Sequence, residues 1–173
     1  MTRFLISLFV VGGLLVVSAC GFRPVHGTTG ESAELRKQLQ SIEVVYQSSL
    51  INQSIGQSLE RLLRPEDKSK LKKYVLSFDS RVSHGALGIQ LDQEVTRYKT
   101  TVSISYSLVD KASGKLLRQD TLQRQGGYDV VESEYAEHIS RTDTESRVAK
   151  ELSEDIKLDI MAALIKAAER NQH

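Results

Sequence analysis

From Val95 to Val109 the chain alternates almost without exception. One side reads Tyr98, Thr100, Val102, Ile104, Tyr106 and Leu108; the other reads Arg97, Lys99, Thr101, Ser103, Ser105 and Ser107. Successive side chains on a strand point to opposite faces, so this segment is a strand with one apolar and one polar face. Such a strand belongs in an antiparallel sheet that is packed on one side and wet or partner-facing on the other. A sheet of that kind must bury its apolar face against a second layer.

The remaining periodicities supply that layer. Ser41 to Tyr46 is β-branched and loosely alternating, a first strand. Leu50 to Leu63 changes period: Ile51, Ile55, Leu59 and Leu62 recur at helical spacing, with Gln53, Gln57, Glu60 and Arg61 between them. Ser48 or Ser49 can cap this helix, and Arg64-Pro65 ends it. Tyr74, Leu76, Phe78 and Val82 mark a half-buried strand. Asp110 to Gly114 has turn chemistry, and a weaker alternation near Lys115–Gln125 reads as a further strand of uncertain register. Residues 141–173 hold neither Pro nor Gly, Thr142-x-x-Glu145 has the form of a capping box, and Val148, Leu152, Ile156, Ile160 and Leu164 recur every four residues. A second apolar set, Leu158, Met161 and Ile165, points roughly opposite. Either it is buried between two elements or it meets another protein. The expected architecture is α+β, in the order β-α-β-β-β-α. It is a two-layer sandwich with two helices on one face of a four-stranded, mostly antiparallel sheet.

The N-terminus is of another kind. Arg3 precedes Phe4 to Val17, a run whose only polar residue is Ser7, and Val17-Ser18-Ala19-Cys20 follows. A positive n-region, an apolar h-region and a small-residue cleavage site form a secretion signal. At 14 residues the h-region is shorter than the roughly 20 needed to span a bilayer. Cys20 is the only cysteine in the chain, so it has no disulfide partner within it. Leu/Val-x-Ala-Cys looks like the bacterial lipoprotein box, with cleavage between Ala19 and Cys20 and lipid on Cys20; the plainer reading is an ordinary secretory signal that happens to contain a cysteine. Residues 20–40, with Gly21, Pro24, Gly27, Thr28, Thr29 and Gly30, read as a lipidated tether, and 41–173 as one domain.

Removing residues 1–19 takes away Arg3 and no acid. The 154 residues that remain carry 22 basic and 22 acidic side chains. That balance argues against a nucleic-acid binder driven by a broad basic field. There is no Gly-rich phosphate loop, no His-Glu-x-x-His and no Cys pair. His26, His84, His138 and His173 lack metal-ligand spacing, and no spacing selects a nucleophile with its base. The expectation is a binder or assembly factor, not an enzyme, with neither metal nor cofactor.

Cys20-Gly-Phe-Arg-Pro24 directly after the lipoprotein box, with the element order above, resembles the lipopolysaccharide-assembly lipoprotein (LptE) family. Tyr106-Ser-Leu108, Asp110 through Gly114-Lys-Leu116, and Tyr128-Asp-Val130 to Tyr135-Ala136 before a long charged helix look like its α-proteobacterial form. The resemblance implies an outer-membrane lipoprotein on the periplasmic side. It also implies the β-barrel LptD as partner, whose lumen the domain plugs while lipopolysaccharide enters the outer leaflet. Gly21 after the cysteine fits that destination, since an acidic residue there marks retention in the inner membrane in many Gram-negative bacteria. The competing expectation is an auxiliary lipoprotein of a periplasmic lipid ABC transporter.

An amphiphile with anionic phosphates is recognised by Lys or Arg beside apolar surface. Arg97 and Lys99, which share the polar face of the clearest strand, are the first candidates, with Arg81, Arg118 and Arg124 behind them. For each, the alternative is a solvated strand face that discourages edge pairing.

Overall fold

The computed structural model describes residues 30–63, 71–89, 95–129 and 133–170. Cys20, the signal segment and the tether as far as residue 29 lie outside the described residues. The elements are α1 (Gly30–Gln40), β1 (Ile42–Tyr46), α2 (Leu50–Leu63), β2 (Tyr74–Ile89), β3 (Val95–Asp110), β4 (Leu116–Asp129) and α3 (Glu134–Arg170). The sheet runs β1-β2-β3-β4 in space. β1 pairs with β2 in parallel, the topology that a strand–helix–strand crossover permits. The two other pairs are antiparallel, so the mostly antiparallel sheet expected from the sequence is the one observed.

The inner face collects Ile42, Tyr74, Leu76, Phe78, Val102, Ile104, Tyr106 and Leu108, all buried. Against it α2 places Ile55, Leu59 and Leu63, and α3 places Val148, Leu152, Ile156, Ile160 and Leu164, all buried in the same cluster. The four-residue repeat along α3 forms one stripe on a 3.6-residue helix, and that stripe is what the sheet covers. The two helices meet at small residues. Ser153, fully buried, donates to the Ala149 carbonyl at 2.7 Å and lies 3.4 Å from the Ile55 carbonyl.

Where β1 stops, opposite Phe78, the buried Asn52 of α2 takes over. Its Nδ2 donates to the Gln47 carbonyl at 3.0 Å and to Asp79 at 3.1 Å, and its Oδ1 accepts from Ser80 at 2.5 Å. Ser49 caps α2, its Oγ accepting from the Asn52 N–H at 3.2 Å.

Three expectations need correction. Residues 30–40, read as part of a tether, form α1: Ala33, Glu34, Leu35, Lys37 and Gln38 are good helix formers. Leu35 and Leu39 share a face, with Leu39 buried in the core. The long helix begins at Glu134, not at the Thr142 box. Ser133 is its cap, with Glu134 and Glu137 in the first turn favouring the positive helix end. Thr142 is mid-helix, and its hydroxyl donates to the His138 carbonyl at 2.9 Å. Finally, β4 extends four residues past Gln125, through Gly126 and Gly127 to Asp129.

Gly126 explains why that extension was hidden. A Cβ there would lie 2.6 Å from Thr144 Cγ2 and 2.9 Å from Val148 Cγ2, so α3 occupies the side-chain space. Gly126→Ala should therefore destabilise the domain by about 1–3 kcal/mol through overpacking, although alanine is otherwise the better strand residue. A denaturant titration showing unchanged or increased stability would mean that α3 does not press on β4 here.

Candidate functional site

The outer face of the sheet is built from small hydroxyls and amides. Register pairs Ser77 with Ser107 and Asp79 with Ser105 across β2 and β3. Across β3 and β4 it pairs Ser107 with Gln119, Ser105 with Thr121, Ser103 with Gln123 and Thr101 with Gln125. Ser105, Gln119, Thr121, Gln123 and Gln125 are exposed. Ser105 and Thr121 hydroxyls bond across the strands at 3.0 Å. The centre is a shallow depression floored by Ser77, Ser105, Ser107, Gln119 and Thr121, with Val45 and Asp79 at its rim. Its hydroxyl and amide centre offers donors and acceptors without charge, and that centre can be covered by another polar surface without stranding a buried ion; the Asp79 carboxylate stays at the rim.

The five basic candidates do not form one patch. Arg97 and Lys99 lie on the outer face at one end of β3. The Arg97 guanidinium crosses Gly127 toward Asp129, with Nε 3.4 Å from its carboxylate. Arg81 is on the same face but opposite Ser103, four residues along the strand from Lys99, or about 13 Å. Arg118 and Arg124 are on the other side of the sheet, facing α3. Arg118 donates from Nε to Asp159 and from Nη2 to Asp120, each at 2.6 Å. Arg124 grips Asp155 with both ends of its fork, at 2.7 and 3.0 Å. Hydrogen bonding to Asp159, then to Tyr106, holds the Arg118 proton more firmly than usual; hydrogen bonding to Asp155 does the same for Arg124. Arg118 and Arg124 therefore do not share a face with Arg97 and Lys99, and their forks are held by carboxylates of α3 and β4.

Asp159 also accepts from the Tyr106 hydroxyl, so β3, β4 and α3 meet at one carboxylate. Burial, reinforced by the bond to Asp159 and its negative charge, pushes the Tyr106 hydroxyl pKa far above its ordinary value. Nothing in the spacing of residues 106, 118 and 159 indicates this cluster, because its members are brought together only by the antiparallel register and the path of α3.

A second constellation forms at the other half of α3. His84 Nδ1 is 3.1 Å from the Thr100 hydroxyl and its Nε2 is 3.5 Å from the Glu145 carboxylate. Hydroxyl, imidazole and carboxylate in that order resemble a nucleophilic triad. Thr100, however, has 0% exposure, so its hydroxyl meets no substrate; here the imidazole ties β2 and β3 to the helix. Among the described residues, no three His, Cys, Asp or Glu side chains converge as a metal site, and no helix is long and apolar enough to cross a membrane. Leu158 and Ile165 of the second apolar set on α3 are exposed, while Met161 packs against the core.

No protein-family model matches the chain. An uncharacterised protein of Rickettsia prowazekii is 23% identical over 159 residues, covering 92% of this chain and 98% of that protein. A candidate lipoprotein from Caulobacter crescentus has the same fold, with a TM-score of 0.62, 22% identity, and 78% of this chain and 97% of that one covered. The rare lipoprotein B of Shewanella oneidensis matches at a TM-score of 0.59 with 7% identity, covering 73% and 98%. A minor lipoprotein of Acinetobacter baumannii matches at 0.55 and 14%, covering 70% and 90%. The fold is one found in bacterial lipoproteins.

Tyr106 holds its proton more tightly in the folded chain than in the unfolded one. Above about pH 10 the unfolded chain therefore binds fewer protons, and stability falls as pH rises. Tyr106→Phe should cost about 1 kcal/mol near neutral pH and make the alkaline loss shallower. Denaturant titrations of both proteins across that range are the check; parallel alkaline slopes would show that Tyr106 does not carry the effect.

Proposed function

We propose that this chain is a lipid-anchored, non-catalytic subunit of an outer-membrane lipopolysaccharide-assembly complex, carried on Cys20 at the periplasmic side. Its outer sheet face lies against the polar lumen of a large β-barrel, LptD. The observation that carries this reading is the Ser/Thr/Gln centre of the outer face, with charged side chains only towards its edges, on a domain whose fold bacterial lipoproteins share. The lumen of a transmembrane barrel is lined by polar side chains, and a hydroxyl and amide surface can exchange water for such a lining with little desolvation penalty. The inner face cannot serve, because α2 and α3 cover it.

The work done is non-covalent: holding the barrel in a competent form, keeping its lumen closed and presenting lipopolysaccharide. A single acyl chain binds membranes only marginally, whereas at about 0.8 kcal/mol per buried CH₂ the several chains of a lipidated cysteine make release negligible. Arg97 and Lys99, at one end of the same face, would meet lipid phosphates at the barrel rim. Arg81 stands further along that face.

Affinity purification from membranes should recover a very large β-barrel. Ser105→Trp, which puts a bulky ring on the exposed centre of the face, should cut that recovery at least tenfold without changing the melting temperature. Recovery of an ATPase–permease complex instead would overturn the reading. Cys20→Ala should release the protein from membranes of cells lacking the barrel, and full retention there would remove the anchor. Arg97→Glu combined with Lys99→Glu should weaken lipopolysaccharide binding while the domain stays folded; undiminished binding by a folded variant would take both residues out of the site.

A further inference from the structure

At the end of the sheet where α1 runs into β1, four lysines share a groove with an apolar side chain. Lys37 of α1, Lys72 and Lys73 just before β2, and Lys111 in the β3–β4 turn line one groove with Leu71. The main chain holds the groove in place: the Lys73 N–H donates to the Ser41 carbonyl and the Lys111 N–H to the Lys73 carbonyl, both at 2.9 Å. Lys72 Nζ donates to the Gln40 carbonyl at 3.2 Å, capping the C-terminus of α1. Three acids moderate the charge. Glu34 is 4.0 Å from the exposed Lys37, Glu43 is 2.7 Å from Lys111, and the Asp110 carboxylate feels the charge of Lys73, leaving an excess of one positive charge among these seven side chains. Leu71 is 94% exposed, more than any other large apolar side chain among the described residues.

We propose that this end of the domain docks on the surface of an anionic phospholipid bilayer, the lysines against headgroup phosphates and Leu71 entering the acyl boundary. Charge complementarity is the argument: ammonium groups on flexible stems around one protruding leucine match a surface that is negative outside and apolar just beneath. Chain connectivity supports it. Lys37 follows Cys20 by 17 residues, the last eight of them in α1, a span of at most about 45 Å, so a lipid on Cys20 would hold the groove within reach of the same leaflet. The inference uses the anchored reading only for orientation, since the surface can be tested with the lipid absent.

The experiment takes the chain from residue 20 onward, carrying Cys20→Ser, and measures cosedimentation with vesicles of equimolar phosphatidylcholine and phosphatidylglycerol. Binding is expected at low salt, and it should vanish once the Debye length falls to about 3 Å. Replacing Lys37, Lys73 and Lys111 together by Gln should weaken it by roughly a hundredfold, taking about fivefold per lysine. Lys72 is kept because it caps α1. Leu71→Ser, at an exposed position, should weaken binding with melting unchanged. Equal binding to pure phosphatidylcholine, no binding, or binding untouched by the triple change would each overturn the proposal. Binding to lipopolysaccharide micelles but not to these vesicles would overturn it too. None of these outcomes bears on Cys20, whose anchor is read separately from cell fractionation.

Discussion

The structure depends on one packing interaction, the stripe Val148-Leu152-Ile156-Ile160-Leu164 of α3 laid on the inner side chains of β3. Val102, Ile104, Tyr106 and Leu108 on one side and five helical residues on the other are all buried, so each layer removes the other's apolar surface from water. At ~25 cal/mol per Å² of apolar area, an interface of nine buried side chains is a large favourable term in a domain that has no disulfide. Ion pairs and caps adjust its geometry without replacing it.

That interface also sorts the polar groups. A helix lying along β3 and β4 presents its flanking carboxylates, Asp155 and Asp159, to whatever β4 carries on the same side. β4 answers with Arg124 and Arg118. Arg118 is 40% and Asp159 25% exposed at the side chain, so water screens these pairs and their energetic weight is modest. Their effect is orientational: the planar fork of Arg124 on Asp155 and the shared Asp159 fix how far α3 can slide or roll on the sheet. His84, between Thr100 and Glu145, does the same toward the helix N-terminus. Arg118, Arg124 and His84 on the inner side are thereby engaged, and the outer face is left as the larger uncovered polar surface.

Much of the fold was legible along the chain. β3 was readable because both of its faces obey the period, and α2 because Ile51, Ile55, Leu59 and Leu62 do. β4 was harder for a physical reason. Its inner side reads Arg118, Asp120, Leu122, Arg124, Gly126 and Tyr128, because it faces charged groups of α3 and, at Gly126, the methyls of Thr144 and Val148 pressed close to the strand. Alternation in hydrophobicity disappears while alternation in direction persists. The capping-box reading failed at Thr142 because a four-residue motif cannot exclude a helix already running through it from Ser133. Of the candidate site, Arg97 and Lys99 lie on the face read for them, whereas the sequence offered no face for Arg118 and Arg124, which lie on the other side of the sheet.

The sequence by itself determined which faces exist. Period two on β3 and period four on α3 are properties of single elements, so they are written locally, as is the apolar run that ends at Cys20. Only the tertiary structure decided what each face meets. Whether an arginine on β4 waits for a ligand or is held by Asp155 depends on the antiparallel register and on where a helix thirty residues later crosses the sheet. The lysine groove beside Leu71 is assembled in the same way, from α1, the segment just before β2 and the β3–β4 turn, segments that no sequence period connects. Coulomb attraction acts through space over a few ångströms, and that distance is set by the fold.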